Sequence, residues 1–169
     1  MSIQSIRAAE KEKSLKAVLL SLVMLTFVLT GCSSDGKQAG RENYGKASGK
    51  SLLEIAKSQI GLKYKFGGVS PKTGFDCSGF VMWVHKKAGI SIAREAPDQF
   101  KRGKKVSKED LRAGDIVFFE TYKPGPSHVG IYDGNGRFIH SPNSKSEVKF
   151  TKMSNSYYKK RYLGARRYW

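Results

Sequence analysis

Acidic residues and cysteine are both scarce in this sequence. The 169 residues include 14 Asp and Glu against 31 Lys and Arg, which gives a formal charge of +17 at pH 7, and they include only two Cys and three His. Two cysteines allow at most one disulfide bond. The excess of positive charge favours anionic polymers or membrane surfaces as partners, and nucleic acid is compatible with the charge alone. Solvated surface charge accounts for most of the lysines.

The sequence also lacks a long hydrophobic run, and its longest one lies near the N-terminus. Residues 17–29 are almost wholly apolar, follow three lysines between residues 11 and 16, and precede small residues. The run is short for a membrane span and no stop-transfer charges follow it directly, so the pattern predicts a secretory signal. Leu29-Thr30-Gly31-Cys32 resembles the bacterial lipoprotein processing box, in which the Cys is acylated and becomes the new first residue. We therefore expect residues 1–31 to be a lipoprotein signal peptide, with an uncleaved anchor as the alternative.

The next segment has almost no apolar residues. Residues 33–50 consist mainly of Gly, Ser and charged residues, which predicts that residues 32–50 are a lipidated Cys32 followed by a flexible tether. Residues 51–169 are enough for one domain with a single core. If Cys32 carries lipid, Cys77 is the free thiol of the mature chain. An unpaired thiol in an oxidising compartment is a liability unless it is used or deeply buried, which favours a functional Cys77.

The order of the periodic segments predicts an α+β fold. Ser51 and Glu54 have the spacing of a capping box, which opens a helix that Gly61 ends. Residues 91–106 lack periodicity, which predicts a surface crossing with at most a short helix. Strands are predicted at residues 115–120, 128–132, 137–140, 148–150 and 162–168. Helices followed by a meander of strands indicate N-terminal helices packed on an antiparallel sheet of about five or six strands.

Cys77 is predicted to lie on the first turn of a helix. Asp76 is a good N-cap residue, and Phe80, Val81 and Val84 follow at helical spacing on an apolar face. The unpaired N–H groups and the positive end of the helix dipole favour a thiolate at such a position. The alternative is a buried, inert cysteine, the commoner fate of a lone Cys.

Two of the three histidines lie on a predicted hairpin. With a three-residue loop, His128 would lie directly opposite His140, with Cβ atoms roughly 5 Å apart. With an even-numbered loop, the two rings would lie on opposite faces of the sheet. A catalytic role for both requires that they share a face. The third histidine, His85, is eight residues beyond Cys77 on the same helix, too far along the axis to act as its base, and we interpret it as a surface histidine.

These residues favour nucleophilic catalysis over metal binding. Cys77 would attack a carbonyl carbon, His128 would hold the proton, and His140 would orient His128 through its second ring nitrogen. The backbone N–H of Cys77 or Ser78 would stabilise the oxyanion. A metal site is the weaker alternative, because no Asp, Glu or further His is spaced to complete a set of zinc ligands. We expect no metal and no cofactor.

Four motifs, in order, resemble those of the NlpC/P60 cysteine peptidases, which are bacterial cell-wall hydrolases with a reduced papain-like fold. The motifs are FDCSGFV at residues 75–81, LRAGDIVFF at 111–119, SHVGIY at 127–132 and FIH at 138–140. The resemblance covers essentially all of residues 51–169. It implies that Cys77 is the nucleophile, His128 the base and His140 the third, polar member.

The same resemblance implies three further site residues. Tyr64, in KYKFGG, matches the family tyrosine whose hydroxyl lies near the oxyanion site. Asp76 and Ser78 match positions that contact the peptide substrate. The resemblance therefore implies a minimal papain-like fold with three catalytic residues and three residues at the oxyanion and substrate-binding sites.

The sequence thus predicts a lipid-anchored peptidoglycan endopeptidase that cleaves stem or cross-link peptides through a thioester. We expect a monomer that binds peptidoglycan stem peptides and is attached to a membrane through its N-terminal lipid, without nucleic acid. It would be exported, either to an outer membrane facing the periplasm or to the outer face of the cell membrane. One alternative is a catalytically silent, basic wall-binding or scaffold lipoprotein. Another is an amidase or acyl-transfer activity that uses the same Cys–His pair.

Overall fold

The computed structural model describes residues 47–169. The predicted signal peptide, the predicted lipidation site at Cys32 and most of the predicted tether lie outside these residues. The helices are α1 (Gly49–Lys57), α2 (Cys77–Lys87), α3 (Ala96–Lys101) and α4 (Ser156–Lys159). The strands are β1 (Val69–Ser70), β2 (Gly74–Phe75), β3 (Lys104–Val106), β4 (Ile116–Phe119), β5 (His128–Tyr132), β6 (Arg137–His140), β7 (Lys149–Lys152) and β8 (Tyr162–Arg167). Within this part of the chain no helix has the length and apolar character needed to cross a bilayer.

Helix α1 begins earlier than its sequence predicts. Ser48 is the N-cap: its hydroxyl accepts a hydrogen bond from the N–H of Ser51 at 3.2 Å, and the Ser51 hydroxyl accepts one from the N–H of Ser48 at 3.0 Å. The predicted box of Ser51 and Glu54 is therefore wrong. Glu54 instead pairs with Lys57 at 2.9 Å. Because Ser48 caps it, the helix takes in Gly49 and Lys50, which are in the predicted tether.

A six-stranded antiparallel sheet forms the larger layer, in the order β3-β8-β4-β5-β6-β7. A small hairpin of β1 and β2 precedes α2. The predicted α+β fold, with helices on an antiparallel sheet of about six strands, is confirmed. Strand β3 was missed, because Lys104 and Lys105 are exposed and Val106 alone is buried, which leaves no apolar alternation to detect.

Both faces of the sheet are covered. Ile116 and Phe118 of β4 pack with α1 and α2, whereas Val117 and Phe119 pack on the opposite face with residues that include Tyr158 of α4. This is why β4 has a continuous apolar sequence instead of alternating polar and apolar residues. The central strands are packed on both faces, and this packing fixes the positions of the residues at their ends.

His85 is buried, and the prediction of a surface histidine is wrong. Its side chain is fully inaccessible. Its Nδ1 lies 2.9 Å from the Val81 carbonyl oxygen, and its ring meets Tyr168 edge to face at 5.9 Å between centroids. Tyr168 follows β8 and packs on the face of α2 that carries His85. The sequence of α2 alone does not reveal that this face is covered. Burial lowers the pKa of His85 to about 4.

Candidate active site

Cys77 occupies the first position of α2, as its sequence predicts. Asp76 is the N-cap, and its Oδ1 accepts a hydrogen bond from the N–H of Gly79 at 2.7 Å. The thiol is free and its residue is 8% exposed. The capped helix end therefore carries a single sulfur that is almost closed to solvent.

The protonation state of this thiol differs from the prediction. Burial and, secondarily, the negative charge of Asp76 raise the pKa of Cys77 to about 11, although the backbone N–H groups of Ser78, Val129 and Cys77 itself favour the charged form. The expected resting thiolate is therefore wrong, because loss of hydration outweighs the N–H groups of the helix end. Cys77 and Val129 belong to the same buried cluster, so the sulfur lies near the start of β5, where Val129 follows His128.

The register of the hairpin shows whether the two histidine rings lie on the same face of the sheet. Ile131 pairs with Ile139 and Tyr132 with Phe138, so the residues between the last pair, 133–137, are odd in number and include Arg137 of β6. This odd-numbered loop puts both rings on one face, but continuing the register places His140 opposite Gly130 instead of His128. Direct opposition is therefore wrong, and the pair is diagonal.

Gly130 makes room for this diagonal contact. A Cβ at Gly130 would lie 2.6 Å from Phe138 Cδ2, 2.8 Å from the Ile139 carbonyl oxygen and 3.1 Å from His140 Cβ. With no side chain there, the His140 ring reaches across to His128. Their Nε2 and Nδ1 atoms, respectively, are 2.7 Å apart, which is the distance of a strong hydrogen bond.

A third residue continues this chain of hydrogen bonds. His140 Nε2 lies 2.9 Å from the hydroxyl of Thr151 on β7. For His128 to accept a proton at Nδ1, its Nε2–H must donate to His140 Nδ1, and the Nε2–H of His140 then donates to Thr151. Thr151 was missed because a threonine in a short strand has no distinguishing motif.

Both imidazoles are neutral in this environment. Burial lowers the pKa of His128 to about 4. Burial, the neighbouring His128 and the charge of Lys149 hold the pKa of His140 well below its usual range. Tyr158 of α4 covers the pair, with its ring centroid 5.8 Å from that of His128 and 5.3 Å from that of His140. Tyr158 belongs to none of the motifs in the sequence, so no sequence signal pointed to this contact.

Cys77 and His128 approach one cavity from different faces of the sheet. Successive side chains of β5 point to opposite faces of the sheet. His128 packs against Phe119 on one face, whereas Cys77 packs with the helices and with Val129 on the other. They meet at the start of β5, at a cavity of about 360 Å³. It is lined by Tyr64, Phe66, Asp76, Cys77, Ser78, Tyr122, His128, Pro142, Asn143 and Ser144. The structure thus brings five of the predicted residues to one cavity, and His140 lies behind His128.

A second cavity, of about 310 Å³, adjoins the first and contains Arg94. It shares Cys77, Asp76 and Ser78 with the first cavity. The Arg94 guanidinium forms an ion pair with Asp76, and its Nη1 also donates to the Ser78 hydroxyl at 2.9 Å. No motif marks Arg94, which lies in the aperiodic segment after α2. Cys77 is therefore at the junction of two arms of one cleft.

Residues 47–169 contain no group of three or more His, Cys, Asp or Glu side chains placed to hold a metal ion. The donor set at the site is one sulfur and two imidazoles, one of which is hydrogen-bonded through both ring nitrogens. One thiol and one imidazole, those of Cys77 and His128, therefore line the same cavity.

Known proteins match this chain in sequence and in fold. The family model described as the NlpC/P60 family matches residues 61–167. Murein DD-endopeptidase MepH of Escherichia coli (strain K12) is 38% identical over 142 residues, which are 82% of this chain and 51% of the relative. Probable peptidoglycan endopeptidase LytE of Bacillus subtilis (strain 168) is 44% identical over 117 residues, which are 69% of this chain and 34% of the relative. A solved NlpC/P60 family protein from Bacillus cereus ATCC 10987 has a TM-score of 0.69 and 37% identity, over 74% of this chain and 41% of that one.

The fold and the matched residues define the class: the chain belongs to the NlpC/P60 family, and the resemblance found in its motifs is confirmed. The chain spans about half, or less, of the length of these relatives.

Proposed function

We propose that this chain hydrolyses peptide bonds of peptidoglycan, in stem or cross-link peptides, with Cys77 as nucleophile. The observation that carries the proposal is the cavity lined by both the free thiol of Cys77 and the neutral imidazole of His128. Two relatives named as murein or peptidoglycan endopeptidases, at 38% and 44% identity, support the substrate class.

The raised pKa of Cys77 and the lowered pKa of His128 favour activation by a general base. Both groups are uncharged at neutral pH, so the sulfur gives its proton to His128 Nδ1 as it attacks the carbonyl carbon. Backbone N–H groups near the sulfur then donate to the oxyanion. His128 returns the proton to the leaving amine as the C–N bond breaks. Water attacks the thioester, again losing its proton to His128, and this step releases the acid and restores the thiol.

His140 and Thr151 act through His128. The Nε2–H of His128 donates to His140 Nδ1, which fixes the ring with Nδ1 towards the cavity and stabilises the imidazolium that forms. Thr151 fixes the His140 ring in turn. His140→Ala should therefore lower kcat less than loss of the nucleophile or the base.

We also propose that Cys32 is lipidated and holds the enzyme at the membrane on the outer side. The support is the sequence pattern of residues 17–32, a basic segment, an apolar run and a Cys at its end. Radiolabelled fatty acid should be incorporated into the full chain and not into a Cys32→Ser variant. Equal labelling of both would contradict the anchor.

One observation favours a second candidate, a basic wall-binding protein without activity. A thiol with a pKa of about 11 is what an inert, buried cysteine would show. The two candidates differ in the outcome of digestion: an enzyme releases defined peptides from purified muropeptides, and a binding protein releases none.

The test is digestion of purified peptidoglycan by the full chain and by Cys77→Ser, with the products identified by mass spectrometry. Cys77→Ser keeps the size of the side chain, so we expect the unfolding midpoint to be unchanged and product release to be lost. Undiminished product release by Cys77→Ser would refute the assignment. The products also separate peptide hydrolysis from amidase or acyl-transfer activity.

A further inference from the structure

The catalytic cavity continues into a basic groove. The groove has a volume of about 470 Å³ and shares Tyr64 and Ser144 with the cavity that holds Cys77 and His128. Its lining is Lys63, Tyr64, Ser144, Lys145, Ser146, Glu147 and Lys149. A substrate that reaches Cys77 therefore meets this groove on one side, and Arg94 on the other.

The position of His128 shows which half of the substrate lies in the groove. His128 lines the cavity next to the groove and is not among the residues that line the Arg94 arm. In the mechanism proposed above, His128 gives its proton to the leaving amine. The amine half of the substrate must therefore lie on the His128 side, towards the groove, and the acyl half on the Arg94 side.

The charge of the groove is positive. Lys63, Lys145 and Lys149 contribute ammonium groups against the single carboxylate of Glu147. Within the part of the chain that the structure describes, none of the three lysines forms an ion pair. Lys149 pairs with His140 across β6 and β7, so its charge is beside the catalytic hydrogen bonds.

We infer that this groove binds a free carboxylate on the amine-side half of the substrate, an inference that rests on the proposed peptidase function. The residue that supplies the leaving amine would carry an acidic group outside the scissile bond. An ammonium at the end of a flexible lysine side chain matches such a carboxylate as a point charge without requiring one fixed geometry.

The test compares two synthetic peptides that differ only on the leaving side, one with a free carboxylate and one with a carboxamide. We expect the full chain to cleave the carboxylate peptide with the higher kcat/KM. Lys63→Met and Lys145→Met should each lower that kcat/KM about two- to fivefold through KM, as for exposed charge pairs, and should not affect the carboxamide peptide. Lys104→Met on the far edge strand β3 removes one exposed charge outside the groove and should leave both values unchanged.

Binding gives a second measurement that does not need turnover. The Cys77→Ser chain should bind the carboxylate peptide more tightly than the carboxamide peptide, and added salt should reduce the difference. Equal kcat/KM values and equal binding for the two peptides would overturn the inference and leave the proposed function standing. Tighter binding of the carboxylate peptide without cleavage by the unmodified chain would support the groove and count against the peptidase.

Discussion

His85 should make the domain sensitive to mild acid. The side chain is fully buried, and its pKa falls from an ordinary 6.5 to about 4. Between these values the unfolded chain binds a proton that the folded chain does not, so stability is complete above pH 6.5 and falls as pH drops towards 4. A difference of this size corresponds to about 3 kcal/mol of unfolding free energy, because each pKa unit is worth about 1.4 kcal/mol.

His85→Phe isolates this contribution. Phe keeps a ring of similar size against Tyr168 and cannot be protonated. It also removes His85 Nε2, a buried nitrogen that has no hydrogen-bond partner among residues 47–169. We expect stability at pH 7.5 to change by less than about 1 kcal/mol, the net value of the one hydrogen bond to the Val81 carbonyl. The loss of stability between pH 7.5 and 4.5 should shrink by about 2–3 kcal/mol relative to the unsubstituted chain.

Urea unfolding at a series of pH values, followed by circular dichroism, measures both quantities. His128 is also buried with a pKa of about 4, so part of the acid sensitivity should remain in His85→Phe. The reasoning would be refuted if His85→Phe and the unsubstituted chain lost the same stability over this range. A large loss at pH 7.5 alone would show instead that Phe does not fit the site.

Four further predictions concern the site. Thr151→Val should lower kcat about three- to tenfold, the value of one hydrogen bond to His140, with KM unchanged, and Thr151→Ser should restore it. Gly130→Ala should cost about 1–3 kcal/mol of stability and reduce activity, because its Cβ would overlap the ring and carbonyl that neighbour it. Asp76→Ala should cost about 1–2 kcal/mol through loss of the helix cap, and Asp76→Asn, which can still cap, should cost less. The acid limb of kcat/KM should lie near pH 4, because His128 must be unprotonated to act as a base and burial lowers its pKa to about 4.

Each of these predictions has a contrary outcome. Full activity of Thr151→Val, or equal loss with Ser and Val, would show that the hydroxyl does not position His140. A fully active and stable Gly130→Ala variant would show that the hairpin can accommodate a Cβ at this position. Equal unfolding midpoints for Asp76→Ala and the unsubstituted chain would exclude the cap as a stabilising contact. An acid limb near pH 6.5 would indicate an exposed His128.

The fold and the predicted residues followed from local patterns. The Asp76 cap, the apolar face of α2 and the hairpin of β5 and β6 are short-range features, and the structure has each of them where its pattern lies. The order of the four motifs along residues 51–169 identified the family. By contrast, the capping box at Ser51 failed because Ser48 offers the same hydrogen bonds one turn earlier.

Residues that the sequence did not reveal depend on contacts between distant segments. Arg94 reaches Asp76 from 18 positions away, and Thr151 reaches His140 from a neighbouring strand. The protonation of Cys77 was mispredicted for a related reason: the helix end is visible in the sequence, but the burial that opposes ionisation is produced by the whole fold. His85 is buried by Tyr168, from the opposite end of the domain.

The burial of the Cys77 sulfur has a consequence for its oxidation. With a pKa of about 11, only about one thiol in ten thousand is ionised at pH 7, and peroxide and disulfide-forming reagents react with the ionised form. In the mechanism proposed above, Cys77 loses its proton only as it attacks a bound peptide, so the thiol is protected from oxidation between turnovers. Resistance to oxidation and the proposed catalysis would then both depend on the burial of one thiol.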